Sequence, residues 1–432
     1  MNLVAHPNSK AAGLALEIYR RTLEEVRGDR LVQSQVWLEG NQLNVDDIVL
    51  NLDDYKRIVV AGAGKASVAM AQGLESILGD RIKEGLIVTK AGHSDALSVC
   101  RAIEAGHPIP DESSLVAGQE MLALAARTEQ DDLVLFCLSG GASALMESPV
   151  DGISLVDLQT VNRVLLASGA SIATFNAIRA RLSRIKAGGL ARAFVKPTVI
   201  VLYMSDVAGN DLQVIGSGPF YPSKTSASLD RLIAALDLKA KLPSHLIAKL
   251  TSRTKPTEIG AAPPHRSIGD ARMMGIHAKN IAVSMGLTVD GPTIMSGEAV
   301  DFVKLAAKKG CFGRLLKPHG CFLAVGETVV TLHGDGLGGR AQEAACAIAR
   351  EIDGSVDVAV LFAGSDGSDG PTDASGALVD GQTLRRASEK GWTVERALST
   401  NDSYHFHEAA NSLIRTGPTG SNLNDIMIVV RS

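Results

Sequence analysis

In the stretch RIVVAGAGKASVAMAQGLE, residues 57–75, Gly62, Gly64 and Lys65 stand between an apolar strand-like run and a helix-like one. Glycines at such a junction let the backbone approach a phosphate, and the amides at a helix start favour an anion. An ammonium there is disfavoured by the helix dipole unless an anion joins it. Lys65 therefore reads as an anion contact, with a solvated surface lysine as the alternative. Two known fingerprints are missed. A dinucleotide loop wants a third glycine where Ser67 stands, and an acidic residue at the end of the next strand, where Thr89 and Lys90 stand. A Walker loop wants glycine at Val59 and a hydroxyl residue at Ala66. Because Lys90 could meet an NADP phosphate, a dehydrogenase stays open beside a kinase.

Further polar clusters follow apolar runs. Ser139, Gly140 and Gly141, then Ser143, offer successive amides and hydroxyls that could form an anion nest, or simply a tight turn. Asp206 ends the run TVIVLYMSD, a usual station for a Mg²⁺ ligand or a general base in phosphoryl transfer; an N-cap is the plainer reading. Gly338 and Gly339 lead into a helix pattern with Arg340 in its first turn, where a cation again implies a carboxylate or phosphate to clamp. Asp366, Asp369, Asp373 and Asp380 lie in a Gly-rich loop without the spacing of an EF-hand, a Mg²⁺ site or an exposed turn. His107 precedes a proline in a loop and is a candidate ligand contact. The basic run Arg179, Arg181, Arg184, Lys186, Arg192 reads as a solvated helix face. No Ser–His–Asp triad or metal-binding His cluster is visible.

These residues need elements to position them. Runs such as RIVVAGAG, EGLIVTK, DLVLFCLSGG, TVIVLYMSD, CFLAVGETVVTL and VAVLFAGSDG alternate with helix patterns at 66–78, 114–126, 155–167, 275–285 and 339–351. Fully apolar strands alternating with helices predict an α/β protein with mainly parallel, doubly covered sheets, whose functional groups gather at the strands' carboxyl ends. The proline-rich, aperiodic stretch 242–267 marks a boundary between an N-terminal domain at 1–255 and a C-terminal domain at 265–432.

At 432 residues the chain exceeds one core, and 45% hydrophobic with 21% charged residues is ordinary for a globular protein. Lys and Arg total 43 against 47 Asp and Glu, so no basic field exists for nucleic acid or anionic lipid. The five cysteines form no CxxC pair and read as reduced and structural. No run approaches membrane-spanning length and no signal-peptide core opens the chain, so a cytoplasmic location is expected, without nucleic-acid or membrane partners.

Taken together, GAGKAS, AGHPIPDESS, LSGGASAL, SPVDGISLVDLQ, SDVAGNDLQVIGSGP, GGRAQEAA, GSDGSDGPTDASGA, NDSYHF and TGPTGSNLND occur in the order of a known family. The chain resembles the class II glycerate 2-kinases, whose C-terminal part is the MOFRL domain. That resemblance implies two Rossmann-like domains with the active site in a cleft between them. It also implies an enzyme that uses ATP and Mg²⁺ to phosphorylate the 2-hydroxyl of D-glycerate, with a homodimer as the assembly it allows. Lys65, Asp206 and Arg340 match the family's proposed active-site Lys, Asp and Arg. Lys65 would neutralise charge on the phosphoryl group or substrate, Asp206 accept the hydroxyl proton or hold Mg²⁺ with Asp366, and Arg340 clamp a carboxylate or phosphate. Gly62, Gly64, Ser139, Gly140, Gly141, Ser143, Gly338 and Gly339 would face phosphate, and His107 the substrate. Some relatives carry a hydroxypyruvate reductase label, so an NAD(P)H-dependent reductase is the alternative. The chain departs from the family at Ala142, Ala180, Arg181, Ala187 and Ala341, which leaves a kinase for a related small hydroxy acid open as well.

Overall fold

The alternating apolar runs form two six-stranded sheets in a computed structural model that describes residues 3–168, 170–222, 229–252, 261–312 and 316–432. Each sheet belongs to its own compact unit: a central unit, 31–268, and a terminal unit made of 1–30 with 269–432. Part of the expected boundary stretch, 253–260, lies outside the described residues.

The central unit opens with an antiparallel meander of β1 (Val36–Glu39), β2 (Gln42–Val45) and β3 (Ile48–Asn51). Its main sheet holds β4 (Arg57–Ala63), β5 (Ile82–Lys90), β6 (Arg101–Ala105), β7 (Asp132–Leu138), β8 (Thr198–Met204) and β9 (His265–Gly269), in the order β6-β5-β4-β7-β8-β9. The pairs β4–β5, β4–β7, β5–β6 and β7–β8 are all parallel. Counted from β4, that is the doubly wound order 3-2-1-4-5-6, and the winding reverses between β4 and β7. The register sets Ala63 beside Leu138 and Leu138 beside Tyr203, so the loops after β4, β7 and β8 leave the sheet at one edge. Val59, Phe136 and Val201 are fully buried between the helical layers. Each such side chain contributes on the order of 1.5–3 kcal/mol of burial.

The terminal unit corrects the expectation of mainly parallel sheets. It contains β10 (Thr288–Met295), β11 (Gly320–Gly326), β12 (Val358–Gly364), β13 (Gly376–Asp380), β14 (Leu413–Ile414) and β15 (Asp425–Arg431), in the order β10-β11-β15-β12-β13-β14. Only β10–β11 is parallel; the other four pairings are antiparallel. The last strand of the chain inserts between β11 and β12, and it is buried on both faces like a parallel strand. Continuous apolarity reports burial of both faces and says nothing of direction.

Residues 3–30, expected in the N-terminal domain, fold with the terminal unit. Helix Lys10–Glu25 buries Ala11, Ala15, Ile18 and Tyr19 and packs on β12 and β15. The Tyr19 hydroxyl donates to the Gly364 carbonyl at 2.6 Å, tying the helix to the end of β12. All five cysteines are free thiols and four are buried. No described helix is long and apolar enough to cross a membrane.

Candidate active site

A cavity of about 420 Å³ opens in the central unit, lined by His107, Gly140, Gly141, Ser143, Asn176, Arg179, Asp206 and Ser217 among others. His107 follows β6, Gly140 and Gly141 follow β7, and Asp206 follows β8. It thus sits outside the carboxyl ends of the strands near the reversal of winding, where ligands of open α/β sheets bind. Lys65 belongs to the same group. Its amide donates to the Gly140 carbonyl at 3.0 Å. A methyl group placed on Gly141 would lie 3.3 Å from His107 Nε2 and 3.4 Å from Lys65 Cγ. Six of the expected residues, Lys65, His107, Gly140, Gly141, Ser143 and Asp206, are therefore neighbours in one unit.

Three others have a different surrounding. A Cβ on Gly62 would lie 2.6 Å from the Cys137 carbonyl oxygen, and one on Gly64 would lie 2.2 Å from Ser139 Oγ. These glycines let β4 and its loop close against β7, and protein atoms occupy the space they open. Ser139 is fully buried; its hydroxyl accepts from the Ala66 amide at 3.0 Å, stitching the two loops together.

Beneath the cavity the segment after Gly141 is held from several sides. Ser143 and Ser217 share a hydroxyl hydrogen bond of 2.7 Å, and Ser217 donates on to Asn176 Oδ1 at 3.1 Å. The Ser143 carbonyl accepts from Lys186 Nζ at 2.6 Å and from Arg179 at 3.2 Å. Lys186 is also paired with Glu147 at 2.7 Å, and Ser183 donates to the same carboxylate. Burial pulls the Lys186 ammonium down to about 8, against the upward pull of Glu147. Burial likewise lowers Arg179. Helix Ile172–Ala180, capped by Ser171 through the Thr174 amide, carries both Asn176 and Arg179. Such a cap is worth about 1 kcal/mol. The basic run expected to be solvated is in part this buried framework.

The terminal unit assembles the remaining candidates around helix Arg340–Glu351. Arg340 Nε and Nη2 fork onto Asp425 at 2.6 and 3.0 Å, and Nη1 donates to Glu327. Burial opposes the Arg340 charge, yet Asp425 beside it lifts the guanidinium above its ordinary range. Asp369 accepts the Ala341 and Gln342 amides at 3.1 and 2.8 Å, taking the helix N-terminus into which Gly338 and Gly339 lead. Burial, with Asp425 nearby, raises Asp369 to about 6. Asp366 accepts from the Ser368 amide at 2.9 Å and so braces its own loop. Among the described residues no group of three or more His, Cys, Asp or Glu side chains is gathered to hold a metal ion.

Asn176, Arg179, Ser217, Glu147 and Asp425 were not singled out as site residues by the sequence. A signal existed for Arg179: Phe175 and Ile178 on its helix, with Leu182 just past the helix end, are apolar, and Arg179 stands beside them instead of opposite. Asp425 gave none, since an Asp before a final strand is an ordinary turn residue.

The chain matches the family described as "Domain of unknown function (DUF4147)" over residues 14–251 and the MOFRL family over residues 320–425. It is 35% identical to the D-glycerate 2-kinase of Thermotoga maritima, covering 96% of this chain and 97% of that protein. A protein of Agrobacterium vitis provisionally named hydroxypyruvate reductase is 36% identical over 87% of this chain and 99% of its own length. The crystal structure of a glycerate kinase from Thermotoga maritima superposes with a TM-score of 0.81 at 34% identity, covering 98% of this chain and 99% of that one. With both domains matched in order and near-complete coverage of such relatives, the chain belongs to the glycerate 2-kinase family.

Proposed function

We propose that the chain is a kinase that transfers the γ-phosphoryl group of ATP to the 2-hydroxyl of D-glycerate, giving 2-phosphoglycerate and ADP. The observation that carries this is its 35% identity to a D-glycerate 2-kinase over 96% of the chain. The 2-hydroxyl oxygen bonds to the γ-phosphorus as the bond to the β–γ bridging oxygen breaks, and the hydroxyl proton leaves for a base. Asp206 is the carboxylate lining the cavity, able to accept that proton or to hold a metal. Lys65, beside Gly141, neutralises charge on the transferring group, and the amides of Gly140 and Gly141 supply neutral donors, while the Ser143 hydroxyl gives its proton to Ser217 and offers an acceptor. Arg340 serves as an anion clamp through the edge that Glu327 occupies, its other edge being held by Asp425. Catalysis of this kind rests on positioning and on charge placed where it develops.

Mg²⁺ fits the donors present. The cavity lining offers one carboxylate, from Asp206, with hydroxyl and amide oxygens, and a Mg²⁺ ion needs only one or two protein carboxylates beside phosphate oxygens. When bound, it neutralises phosphate charge. Asp366 is the second expected ligand, its Oδ1 being engaged with Ser368. A cytoplasmic setting accords with five free thiols.

The test is a coupled assay across a panel of small hydroxy acids. Mg²⁺-dependent release of ADP with D-glycerate, and 2-phosphoglycerate as product, is expected. Oxidation of NADH by hydroxypyruvate without turnover of glycerate overturns the reading in favour of a reductase. The filled space beside Gly62 and Gly64 speaks against a dinucleotide pyrophosphate at that loop.

A further inference from the structure

We propose that Arg179, together with the side-chain amide of Asn176, binds the carboxylate of the hydroxy-acid substrate and so selects acids over neutral polyols. The inference rests on the kinase reading for the identity of the acid. It starts from an arginine that forms no ion pair among the described residues. Arg179 lines the cavity and makes one hydrogen bond, from Nη2 to the Ser143 carbonyl, while its guanidinium lies 5.1 Å over the Phe175 ring. Glu147, the acidic group nearest in effect, is already paired with the buried Lys186 at 2.7 Å. A half-buried guanidinium stacked on a ring, with N–H groups left over at the cavity wall, suits an anion.

The framework contact uses one of the five N–H groups of Arg179. The Ser143 carbonyl receives Lys186 Nζ at 2.6 Å, so that oxygen is satisfied without Arg179. Asn176 points the same way. It precedes Arg179 by three residues on helix Ile172–Ala180 and so shares its face. Its Oδ1 accepts from Ser217, which leaves the amide N–H groups as donors. A forked guanidinium and an amide donor on one helix face suit the two oxygens of a carboxylate.

Charge decides between a carboxylate and a nucleotide phosphate. Among the described residues lining the cavity, Arg179 is the one arginine or lysine, and the wall beside it is apolar, with Ile109, Leu166 and Phe175. Lys65, behind Gly141, and a Mg²⁺ ion at Asp206 would serve the phosphates, which leaves Arg179, set against this apolar wall, for the single charge of the acid.

The experiment uses the full-length protein and the variants R179Q and R179K. R179Q retains an N–H donor for the Ser143 carbonyl and removes the charge. Calorimetry and steady-state kinetics are run with D-glycerate, glycerol and ATP, alongside unfolding midpoints. R179Q is expected to weaken D-glycerate binding and raise its KM by about ten- to about a hundred-fold, the range for losing a charge-assisted hydrogen bond. The ATP KM should move by less than about three-fold, glycerol should bind equally weakly to all forms, and R179K should recover part of the loss. Unchanged glycerate affinity in R179Q overturns the assignment. A rise in the ATP KM alone overturns it in favour of phosphate, and parallel losses for both reactants with a lower unfolding midpoint overturn it in favour of a scaffold role. Wild-type protein that binds D-glycerate without phosphorylating it defeats the kinase reading alone; wild-type protein that does not bind it defeats both.

Discussion

Lys186 and Glu147 form an ion pair of 2.7 Å with side chains only 1% and 3% exposed, directly under the segment that carries Ser143. A buried pair of this kind costs desolvation on both sides, so its net worth is small while the loss of one partner is severe. K186M should therefore destabilise the protein by about 3–5 kcal/mol in urea unfolding. The double variant K186M/E147L should recover most of that loss, because no unpaired charge remains. A single variant as stable as wild type would show that water or another cation reaches Glu147.

Arg340 presents a similar pair with a different question attached. Asp425 is 3% exposed and takes two of the guanidinium's N–H groups. R340A strands that carboxylate, so a loss of activity alone says little about a role toward the reactants. Adding D425N should restore the unfolding midpoint. If Arg340 also meets a reactant, kcat/KM in R340A/D425N should stay lower than wild type by about two orders of magnitude. Recovery of both stability and activity would leave Arg340 as a scaffold residue.

Asp369 gives a pH dependence with a definite sign. Its folded value of about 6 lies above the ordinary carboxylate value, burial being the main cause. Between about pH 4 and pH 6 the folded protein therefore holds a proton that the unfolded chain has released. Stability from this group is present below about pH 4 and is lost as pH rises through about 6, by roughly 2–3 kcal/mol. The buried His407 and the half-buried His265, both pulled down to about 4 by desolvation, act in the opposite sense over an overlapping window. The readout is accordingly the difference in unfolding free energy between wild type and D369N, measured from pH 4 to pH 7. That difference should shift against the wild type on raising the pH, and a flat difference would contradict the assignment.

The sequence disclosed the strand ends in both sheets and the strand directions in the central sheet alone. Lys65, Asp206 and the Ser139–Ser143 segment follow apolar runs, and parallel pairing of β4, β7 and β8 brings their loops to one edge. β15 carries the same apolar signature and yet runs antiparallel between β11 and β12. Within the site, residues whose chemistry is local could be read, such as Asp206 at a strand's end. Those defined by what they pack against could not. Gly64 has the letters of a phosphate loop, but its missing side chain makes room for Ser139. Arg179 has the letters of a solvated face, and only the packing of Phe175, Ile178 and Leu182 turns it inward.

Gly141 and Gly152 separate backbone strain from crowding of the site. Both adopt left-handed backbone, with φ of +89° and +80°. A Cβ at Gly152 meets nothing within 4 Å, whereas one at Gly141 meets His107 Cδ2 at 3.2 Å and Lys65 Cγ at 3.4 Å. Alanine in that region of the backbone costs about 1–2 kcal/mol wherever it stands. G152A and G141A should thus lower the unfolding free energy by similar amounts. Only G141A should also lower kcat/KM, by about ten-fold or more, because the His107 ring and the Lys65 stem must shift to admit the methyl group and the donors placed around the cavity move with them. The contacts at 3.2 and 3.4 Å involve side chains that can yield by a few tenths of an ångström, so folding should survive while the geometry suffers. Equal activity in the two variants would mean that Lys65 and His107 tolerate displacement, and it would remove them from the reacting centre.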